Sequence, residues 1–397
     1  EMIEAALVAG LTSMGLTPQL AGIVPTPAVA MTTRTSQARF GLMVSASHNK
    51  YEDNGIKLFS PDGLKFDDAT EETLESAMAA AFDGPYAPPT GIAIPQRVTG
   101  VGDDYVRSCL ATVSAGSKIR GMKIVLDCAH GAGFQVAPEA LLDCGAALTV
   151  IGAAPDGINI NAGFGSTDTT ALKAAVREQG AHIGLALDGD ADRVIIVDET
   201  GAEIDGDQVM ALIARELHDK KRLTGGGMVS TVMSNMGLDQ YLQTLGLTLA
   251  RTRVGDRYVG EHMRAHGFNF GGEPSGHIIL SDVSTTGDGL LAGLHVLSVL
   301  AESGQPMSAL GRVFDPAPQE LVNIRYSGAN PMDSDRVQAA VAEAETLRGA
   351  RGRMVVRKSG TEPLIRVMAE ALESGLMKQA LANFPETAAT SQAAFGP

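Results

Sequence analysis

Hydrophobic positions near the amino terminus recur at the spacing of an α-helix. Ile3, Leu7 and Leu11 fall on one helical face, and the pattern ends near Gly15, a residue type common just after a helix. The chain therefore begins inside a helix, with no strand before it. Because a strand normally opens an α/β unit, we expect the start of a longer protein to be missing.

Extended patterns follow this helix. A Pro-rich segment leads into a second helix, and the apolar run at residues 40–44 then predicts a strand. Residues 55–60 and 64–66 flank a Pro-Asp-Gly turn, which predicts a hairpin between those two segments.

Strands and helices alternate regularly through the middle of the chain. Such alternation is typical of largely parallel sheets covered by helices on both faces. The predicted elements are strands at residues 123–128, 183–187, 194–197 and 228–232, with helices from residue 138 and at residues 208–217.

The pattern changes after residue 319, where strands are no longer separated by long helices. Residues 321–326, 353–356 and 364–369 predict strands, and residues 337–347 predict a single helix. This part of the chain therefore forms a smaller α+β domain.

Charge and cysteine content narrow the possible partners. The 397 residues include 46 acidic and 31 basic side chains, a net charge of −15 that repels nucleic acid and anionic membranes. The three cysteines lack metal-ligand or redox spacing, as is usual for buried thiols in a reducing compartment. The acidic start is unlike a signal peptide, and no apolar run approaches membrane-spanning length. We therefore expect a cytoplasmic protein without nucleic-acid or membrane partners.

The strongest chemical signal is an acidic turn between two apolar strands, the aspartate loop (residues 188–193). Asp188, Asp190 and Asp192 alternate with small residues, so three carboxylates can converge on one hard cation such as Mg²⁺, Mn²⁺ or Ca²⁺. A calcium-binding helix–loop–helix motif would need a longer pattern ending in Glu, which is absent. The other alternative is a solvated acidic turn, in which three like charges repel one another without a cation.

A second candidate is the serine loop (residues 45–49, Ser-Ala-Ser-His-Asn), which follows a predicted strand. Active sites of open α/β sheets gather at the carboxyl ends of strands. The Gly-x-Ser-x-Gly spacing of a nucleophile elbow is missing, which argues against acyl transfer. Two interpretations stay open: a serine that carries a phosphoryl group near the metal, and a purely structural turn.

A third candidate is the glycine loop (residues 271–277, Gly-Gly-Glu-Pro-Ser-Gly-His). Its glycines permit close approach, and its carboxylate and hydroxyl suit the hydroxyl groups of a sugar. An ordinary glycine-rich turn is the alternative interpretation.

The fourth candidate is the basic loop (residues 357–363, Arg-Lys-Ser-Gly-Thr-Glu-Pro), with Arg366 shortly after it. Cationic side chains, hydroxyls and backbone N–H groups in one turn suit a phosphate group. The order of residues is not that of a Walker loop. A solvated basic loop is the alternative.

In this order and at these separations, the four loops resemble those of the α-D-phosphohexomutase family. The serine loop is similar to that family's phosphoserine loop, the aspartate loop to its metal loop, the glycine loop to its sugar-recognition loop and the basic loop to its phosphate-binding loop. The resemblance runs from near the amino terminus to about residue 370. The family's amino-terminal strand and its Thr-Asp-Gly-Ile-Arg-Gly segment do not occur here, so we expect a truncated first domain.

The resemblance implies a role for individual residues. Ser47 is expected to be phosphorylated, with one of its phosphate oxygens joining the carboxylates on one Mg²⁺ ion. The implied metal ligands are Ser47, Asp188, Asp190 and Asp192. The implied catalytic residues are Ser47, His48, Lys57, Arg193 and His277. The implied substrate-binding residues are Arg257, Glu273, Ser275, Arg357, Ser359, Gly360, Thr361 and Arg366.

The family's architecture implies the fold: three related α-β-α sandwich domains, with mixed and mostly parallel sheets, and a smaller α+β domain around a central cleft. We expect domains at residues 1–117 with the serine loop, 118–203 with the aspartate loop, 204–312 with the glycine loop, and 313–397 with the basic loop.

Within the family, the segments at residues 54–59, 159–167, 205–211 and 271–289 resemble the branch that acts on glucosamine phosphates. The expected reaction interconverts glucosamine 6-phosphate and glucosamine 1-phosphate, feeding UDP-N-acetylglucosamine and cell-wall precursor synthesis. It uses a phosphoserine, with glucose or glucosamine 1,6-bisphosphate as activator or intermediate. The alternatives are action on mannose and glucose phosphates, and an inactive homologue that binds sugar phosphates. A monomer and a homodimer are both compatible with the sequence.

Overall fold

A computed structural model describes residues 1–79, 86–112, 119–326, 334, 352–358 and 364–371. The first part of the chain combines a helical start with two small sheets, β1–β4 parallel and β2–β3 antiparallel. Its elements are α1 (Met2–Ser13), β1 (Gln19–Leu20), α2 (Thr26–Thr35), β2 (Gly41–Ser45), β3 (Gly55–Phe59), α3 (Asp68–Ala79), β4 (Gln96–Arg97) and α4 (Val101–Leu110).

The expected hairpin between residues 55–60 and 64–66 is present but short, and the main partner of its first strand is a different one. β3 pairs along its whole length with β2, from Gly55 opposite Ser45 to Phe59 opposite Gly41. Residues 64–66 contribute one bridge, between Phe59 and Lys65. Residues 41–45 match β3 in length, whereas Lys65 lies where the chain leaves the sheet, and its ammonium group bonds Asp256.

The second part is a five-stranded sheet in the order β6-β5-β7-β8-β9. Its first three strands are parallel, and β8 and β9 are added antiparallel. The predicted helix at residue 138 begins two residues earlier, with Pro138 inside the first turn, where proline is tolerated. The elements are β5 (Lys123–Asp127), α5 (Val136–Asp143), β6 (Ala147–Ile151), α6 (Thr170–Gln179), β7 (Ile183–Leu187), β8 (Val194–Asp198) and β9 (Glu203–Ile204).

The third part repeats this arrangement as a four-stranded sheet in the order β11-β10-β12-β13. The first three strands are parallel and β13 is antiparallel. Its elements are α7 (Gly206–Asp219), β10 (Gly227–Thr231), α8 (Met236–Thr244), β11 (Thr248–Thr252), α9 (Asp256–His266), β12 (Phe270–Gly272), β13 (Ile278–Leu280), α10 (Gly289–Ser303) and α11 (Met307–Leu310).

Helices cover both faces of the five-stranded sheet. Along β7, Leu185 and Leu187 pack in the large core with α5 and α10, whereas Ala186 packs on the opposite face with Leu172 and Val176 of α6. This alternation follows from the two-residue period of a strand. The expected α/β architecture is confirmed for this sheet. Among the helices that the structure describes, none combines the length and apolar character needed to cross a bilayer.

The last part is an antiparallel sheet in the order β14-β16-β15. The expected helix at residues 337–347 lies outside the described residues. The expected domain boundaries near residues 117, 203 and 312 stay predictions. The strands are β14 (Gln319–Arg325), β15 (Gly352–Lys358) and β16 (Leu364–Ala371).

An ion pair within this last sheet also hydrogen-bonds the backbone of the third part of the chain. Arg353 on β15 bonds the Glu370 carboxylate on β16 at 2.8 Å and donates to the carbonyl oxygens of Val232 and Ser234, each at 2.6 Å. The other Glu370 oxygen accepts the backbone N–H of Met236 at 2.6 Å. Glu370 is fully buried. Its charge would be costly there without these partners, so they stabilise the contact between the two parts.

We expect Arg353→Leu to loosen this sheet, because the substitution leaves the Glu370 carboxylate buried and unpaired. The local cost is about 3 kcal/mol, or a loss of amide protection of roughly 100-fold on β16 in native-state hydrogen exchange. Arg107→Leu is the matched control, since its pair with Asp104 is exposed and contributes about 1 kcal/mol or less. Equal protection of β16 in both variants would contradict the anchoring role of Arg353.

Candidate functional site

The serine loop begins where β2 ends and turns sharply at Ser47. The Ser47 backbone has a φ of 53°, in the left-handed region that costs a non-glycine residue about 1 kcal/mol or more. Its N–H donates to the Ser45 hydroxyl oxygen at 2.8 Å, which holds the turn from within. A strained residue of this kind persists only where surrounding contacts fix it, so the contacts of Ser47 are informative.

The aspartate loop lies directly against the Ser47 turn. The N–H of Gly189 donates to the Ser47 carbonyl oxygen at 3.1 Å. A Cβ atom on residue 189 would lie 2.5 Å from that oxygen, so only glycine permits this approach. At the start of α2, the N–H of Thr26 donates to the Asp190 carbonyl at 3.0 Å, and the Thr26 hydroxyl bonds the Asp190 carboxylate.

The three carboxylates of the aspartate loop converge as predicted. Asp188, Asp190 and Asp192 are at most 2% exposed, and each offers an oxygen within 4.8 Å of the others. The Lys57 ammonium on β3 bonds one oxygen of Asp190 at 2.5 Å and one of Asp192 at 2.7 Å. Counting partners in the described part of the chain, Asp188 Oδ2, Asp190 Oδ1 and Asp192 Oδ1 are buried and accept no hydrogen bond.

Burial and mutual repulsion govern the ionisation of this cluster. Burial, followed by the charges of Asp192 and Asp190, raises the pKa of Asp188 well above its usual range. Burial also opposes ionisation of Asp192, but Lys57 and His277 outweigh it and hold the pKa of Asp192 low. Burial would likewise lower the pKa of Lys57, yet Asp192 and Asp190 raise it above its usual range. The cluster thus holds more acidic groups than Lys57 can neutralise.

These residues fit a hard divalent cation. Three buried carboxylate oxygens that accept no hydrogen bond from the described residues form an oxygen-only ligand set, which favours Mg²⁺, Mn²⁺ or Ca²⁺ over softer metals. The second oxygen of each carboxylate accepts a hydrogen bond from the protein. The Arg193 N–H donates to Asp188, and the Lys57 ammonium donates to Asp190 and Asp192. Such outer contacts orient metal ligands.

The glycine loop joins the aspartate loop through backbone pairing. Arg193 and His277 form an antiparallel bridge, and the Val194 N–H donates to the Gly276 carbonyl at 3.1 Å. A Cβ atom on Gly276 would lie 2.2 Å from the Val194 carbonyl oxygen, which explains the glycine there. Glu273 is buried and accepts the Gly255 N–H at 3.1 Å, whereas Ser275 is exposed.

The two predicted histidines occupy different surroundings. His277 Nε2 lies 3.3 Å from the Asp256 carboxylate and 3.7 Å from that of Asp192, so carboxylates surround this ring. His48 is half-buried next to Arg193, and burial followed by that positive charge lowers its pKa below the usual range. Both effects favour the neutral form of the His48 ring, which can accept a proton.

Arg257, at the start of α9, contacts α3 and bonds two of its carboxylates. One guanidinium nitrogen contacts Asp68, and another contacts Glu71 at 2.6 Å. The Tyr258 hydroxyl also donates to Asp68, at 2.9 Å. These residues line a cavity of about 380 Å³ together with Lys57, Leu58, Lys65 and Asp256.

The basic loop is described only in part. Ser359, Gly360 and Thr361 lie outside the described residues, as does the rest of the loop beyond the end of β15. Arg357 and Arg366 occupy directly opposite positions on β15 and β16. Among the described residues, the buried Nε of Arg366 has no hydrogen-bond partner.

Several residues of this site were missed by sequence reasoning. Thr26 bonds Asp190 of the aspartate loop, and Asp256 lies next to His277 of the glycine loop. Lys65 bonds Asp256, and Asn161 contacts the Ser47 turn. The Gly-Asp-Arg triplet at 255–257 was a usable signal for Asp256. Thr26 and Lys65 have no local pattern of this kind. Asn161 lies in the segment at residues 159–167, which the family resemblance singled out but which carries no sign of a contact with Ser47.

Comparison with known proteins identifies the family. The chain is 71% identical, over 381 residues, to the phosphoglucosamine mutase of Hyphomonas neptunium, covering 96% of this chain and 85% of that protein. The chain belongs to the phosphoglucomutase/phosphomannomutase family. Residues 1–83, 103–201 and 205–316 match that family's alpha/beta/alpha domains I, II and III, and residues 311–384 match its C-terminal domain. The expected membership and fold class are both confirmed.

Solved structures of phosphoglucomutase/phosphomannomutase proteins share the fold. A family protein from Burkholderia thailandensis is 21% identical with a TM-score of 0.81, covering 98% of this chain and 86% of that one. The N-acetylphosphoglucosamine mutase of Aspergillus fumigatus, solved with GlcNAc-6P and magnesium, is 19% identical with a TM-score of 0.66. That alignment covers 97% of this chain and 93% of that one.

We expect the aspartate loop to bind one Mg²⁺ ion per chain, measured by isothermal titration calorimetry. Asp188→Asn keeps an oxygen for the Arg193 N–H but replaces a free ligand oxygen, so Mg²⁺ affinity falls about 100-fold, the equivalent of about 2.7 kcal/mol.

Asp198→Asn is the matched control for this metal prediction. Asp198 is also fully buried with one unpartnered oxygen among the described residues, but it lies at the far end of β8 outside the carboxylate cluster. Its substitution leaves Mg²⁺ affinity unchanged. A similar loss in both variants would show that the aspartate loop is not the metal site.

Proposed function

We propose that this chain is a phosphoglucosamine mutase, which interconverts glucosamine 6-phosphate and glucosamine 1-phosphate through a phosphoryl group carried by Ser47. The observation that carries the proposal is the contact between two loops. The Ser47 turn contacts the aspartate loop, which carries three buried carboxylate oxygens that accept no hydrogen bond from the described residues.

The transfer breaks one bond and forms one. The phosphorus of phosphorylated Ser47 leaves the Ser47 hydroxyl oxygen and bonds the free hydroxyl oxygen of the sugar phosphate, giving a 1,6-bisphosphate. That intermediate turns end for end, and its other phosphoryl group returns to Ser47. Phosphoryl transfer depends mainly on in-line positioning and neutralisation of charge. The hydrogen bonds that hold the Ser47 turn support in-line positioning.

Asp188, Asp190 and Asp192, together with Ser47, would hold Mg²⁺. The bound ion supplies positive charge that neutralises the transferring phosphoryl group. Lys57 holds two of the carboxylates in orientation, and Arg193 stays cationic. Burial would lower the pKa of Arg193, but Asp192 and Asp188 raise it. The magnesium complex of the Aspergillus fumigatus enzyme supports the choice of metal.

The sugar hydroxyl must lose a proton as it attacks. We assign that proton to His48, because its Nδ1 accepts no hydrogen bond from described residues and because burial and Arg193 lower its pKa and so favour the neutral ring. His277 is the second candidate base, and its contacts with Asp256 and Asp192 also favour a role in orienting charge.

The remaining groups bind the sugar and its second phosphate. The buried carboxylate of Glu273 and the exposed hydroxyl of Ser275 are suited to sugar hydroxyls. Arg357, Ser359, Gly360, Thr361 and Arg366 are proposed to bind the phosphate that is not reacting, and Arg257 to bind substrate within the cleft. The cross-strand positions of Arg357 and Arg366 support this grouping.

The 71% identical relative supports glucosamine phosphates as substrates. The family also includes enzymes named for glucose and mannose phosphates, so the assay compares kcat/KM for all three sugar phosphates, with a trace of sugar bisphosphate present. The proposal expects the highest value for glucosamine 6-phosphate.

Ser47→Ala is expected to abolish both phosphorylation of the chain and formation of glucosamine 1-phosphate, because the phosphoryl carrier is lost. Mass spectrometry of the serine-loop peptide measures the first, and a coupled assay the second. Ser45→Ala is the control within the same loop: it removes the acceptor for the Ser47 N–H and lowers the rate, but leaves phosphorylation possible. Full turnover by Ser47→Ala would rule out the proposed mechanism.

Glu71→Gln is expected to lower the KM for glucosamine 6-phosphate about 3-fold with kcat unchanged. The carboxylate of Glu71 bonds Arg257 and so competes with an anionic substrate for it, whereas a neutral amide competes less. Glu72→Gln removes the same charge from the next, exposed position of α3 and leaves KM unchanged. A common shift in both variants would assign the effect to overall charge and not to Arg257.

A further inference from the structure

The segment at residues 159–167 contacts both the serine loop and the aspartate loop. Asn161 is 6% exposed and adopts a left-handed backbone with a φ of 57°. Its N–H donates to the Ala129 carbonyl at 2.9 Å, which ties it to the end of β5. The preceding Ile160 packs so closely under the aspartate loop that a Cβ atom on Gly189 would lie 2.6 Å from its side chain.

The side-chain amide of Asn161 reaches the serine loop at two points. Its Nδ2 donates to the Ser47 carbonyl oxygen at 2.8 Å and to the Asn49 carbonyl oxygen at 2.6 Å. The Ser47 oxygen also accepts the Gly189 N–H, so it receives two donors. One buried amide thereby spans the turn from the strained residue to the residue two positions later.

We propose that Asn161 is a positioning residue for phosphoryl transfer, which holds the Ser47 turn in the geometry that faces the carboxylate cluster. This inference rests on the proposed function. The left-handed Ser47 backbone would relax toward a commoner conformation without external donors, and Asn161 supplies two hydrogen bonds that oppose this. Displacement of a reacting group by about 1 Å can slow a reaction about 100-fold.

The contacts of Asn161 distinguish a positioning role from general stabilisation of the site. Asn161 contacts the backbone of the serine loop, while the described hydrogen bonds of the carboxylate cluster come from Thr26, Lys57 and the Arg193 N–H. Loss of the amide should therefore slow transfer from phosphorylated Ser47. The Mg²⁺ affinity of the unphosphorylated chain, in which the three carboxylates supply the ligands, and the KM for sugar phosphate should stay nearly unchanged.

The experiment uses the full chain and two substitutions at this position. Asn161→Asp keeps the size of the side chain and its tolerance of a positive φ. It replaces the donating amide by a carboxylate, which repels the carbonyl oxygens of Ser47 and Asn49. Asn161→Gly keeps the backbone conformation and removes the amide. Asn159→Asp is the matched control: two residues earlier, its amide donates to Ala154 within the segment's own turn.

Besides the melting temperature, three quantities are measured for each variant: the single-turnover rate of transfer from phosphorylated Ser47 to glucosamine 6-phosphate, the KM for that substrate, and the Mg²⁺ affinity of the unphosphorylated chain. We expect the transfer rate to fall about 100-fold for Asn161→Asp and about 10-fold for Asn161→Gly. KM and Mg²⁺ affinity should stay within about 2-fold, and Asn159→Asp should match the wild type in all three.

The outcomes distinguish this inference from the proposed function. If the wild type transfers phosphate and both Asn161 variants match Asn159→Asp, the positioning role is wrong and the mutase function stands. Parallel losses in transfer rate, Mg²⁺ affinity and melting temperature would assign Asn161 to stability alone and overturn the role as well. A wild type without transfer would overturn the proposed function together with the inference. If Asn161→Asp fails to fold, Asn161→Gly decides.

Discussion

The site depends on one backbone contact, between the Gly189 N–H and the Ser47 carbonyl oxygen. The contact joins a loop after β2 to a loop after β7, more than 140 residues later in the chain. It requires glycine at position 189 and a left-handed backbone at Ser47. Because it sets the distance between the serine and the three carboxylates, every chemical role proposed for either loop follows from it.

The electrostatics of the cluster follow from its burial. Three carboxylates removed from water repel one another, and a single ammonium, from Lys57, bonds two of them. The third, Asp188, has its pKa raised well above the usual range by burial and by its two neighbours. A divalent cation bound at the free oxygens would neutralise the excess negative charge of the three carboxylates. The unpaired charge of the cluster is therefore the physical reason to propose a metal there.

Local pattern was sufficient for many of the strands and helices and for the convergence of the aspartate loop. The strand at β7, the turn after it and the convergence of three alternating carboxylates all follow from residues adjacent in sequence. Contacts such as Thr26 with Asp190, or Asn161 with Ser47, join segments more than 100 residues apart and leave no periodic signal. The pairing of β3 with β2 was also not predicted, and it adds to the short contact of β3 with residues 64–66 without replacing it.

The central claim is that a seryl phosphate on Ser47 and a divalent cation in the aspartate loop share one site. Mn²⁺ accepts the same oxygen ligands as Mg²⁺ and is paramagnetic. Electron–nuclear double resonance of the Mn²⁺-loaded, Ser47-phosphorylated chain therefore measures the claim directly. The account predicts a phosphorus coupling typical of a phosphate oxygen bound to the metal. Bound Mn²⁺ with no phosphorus coupling would contradict it.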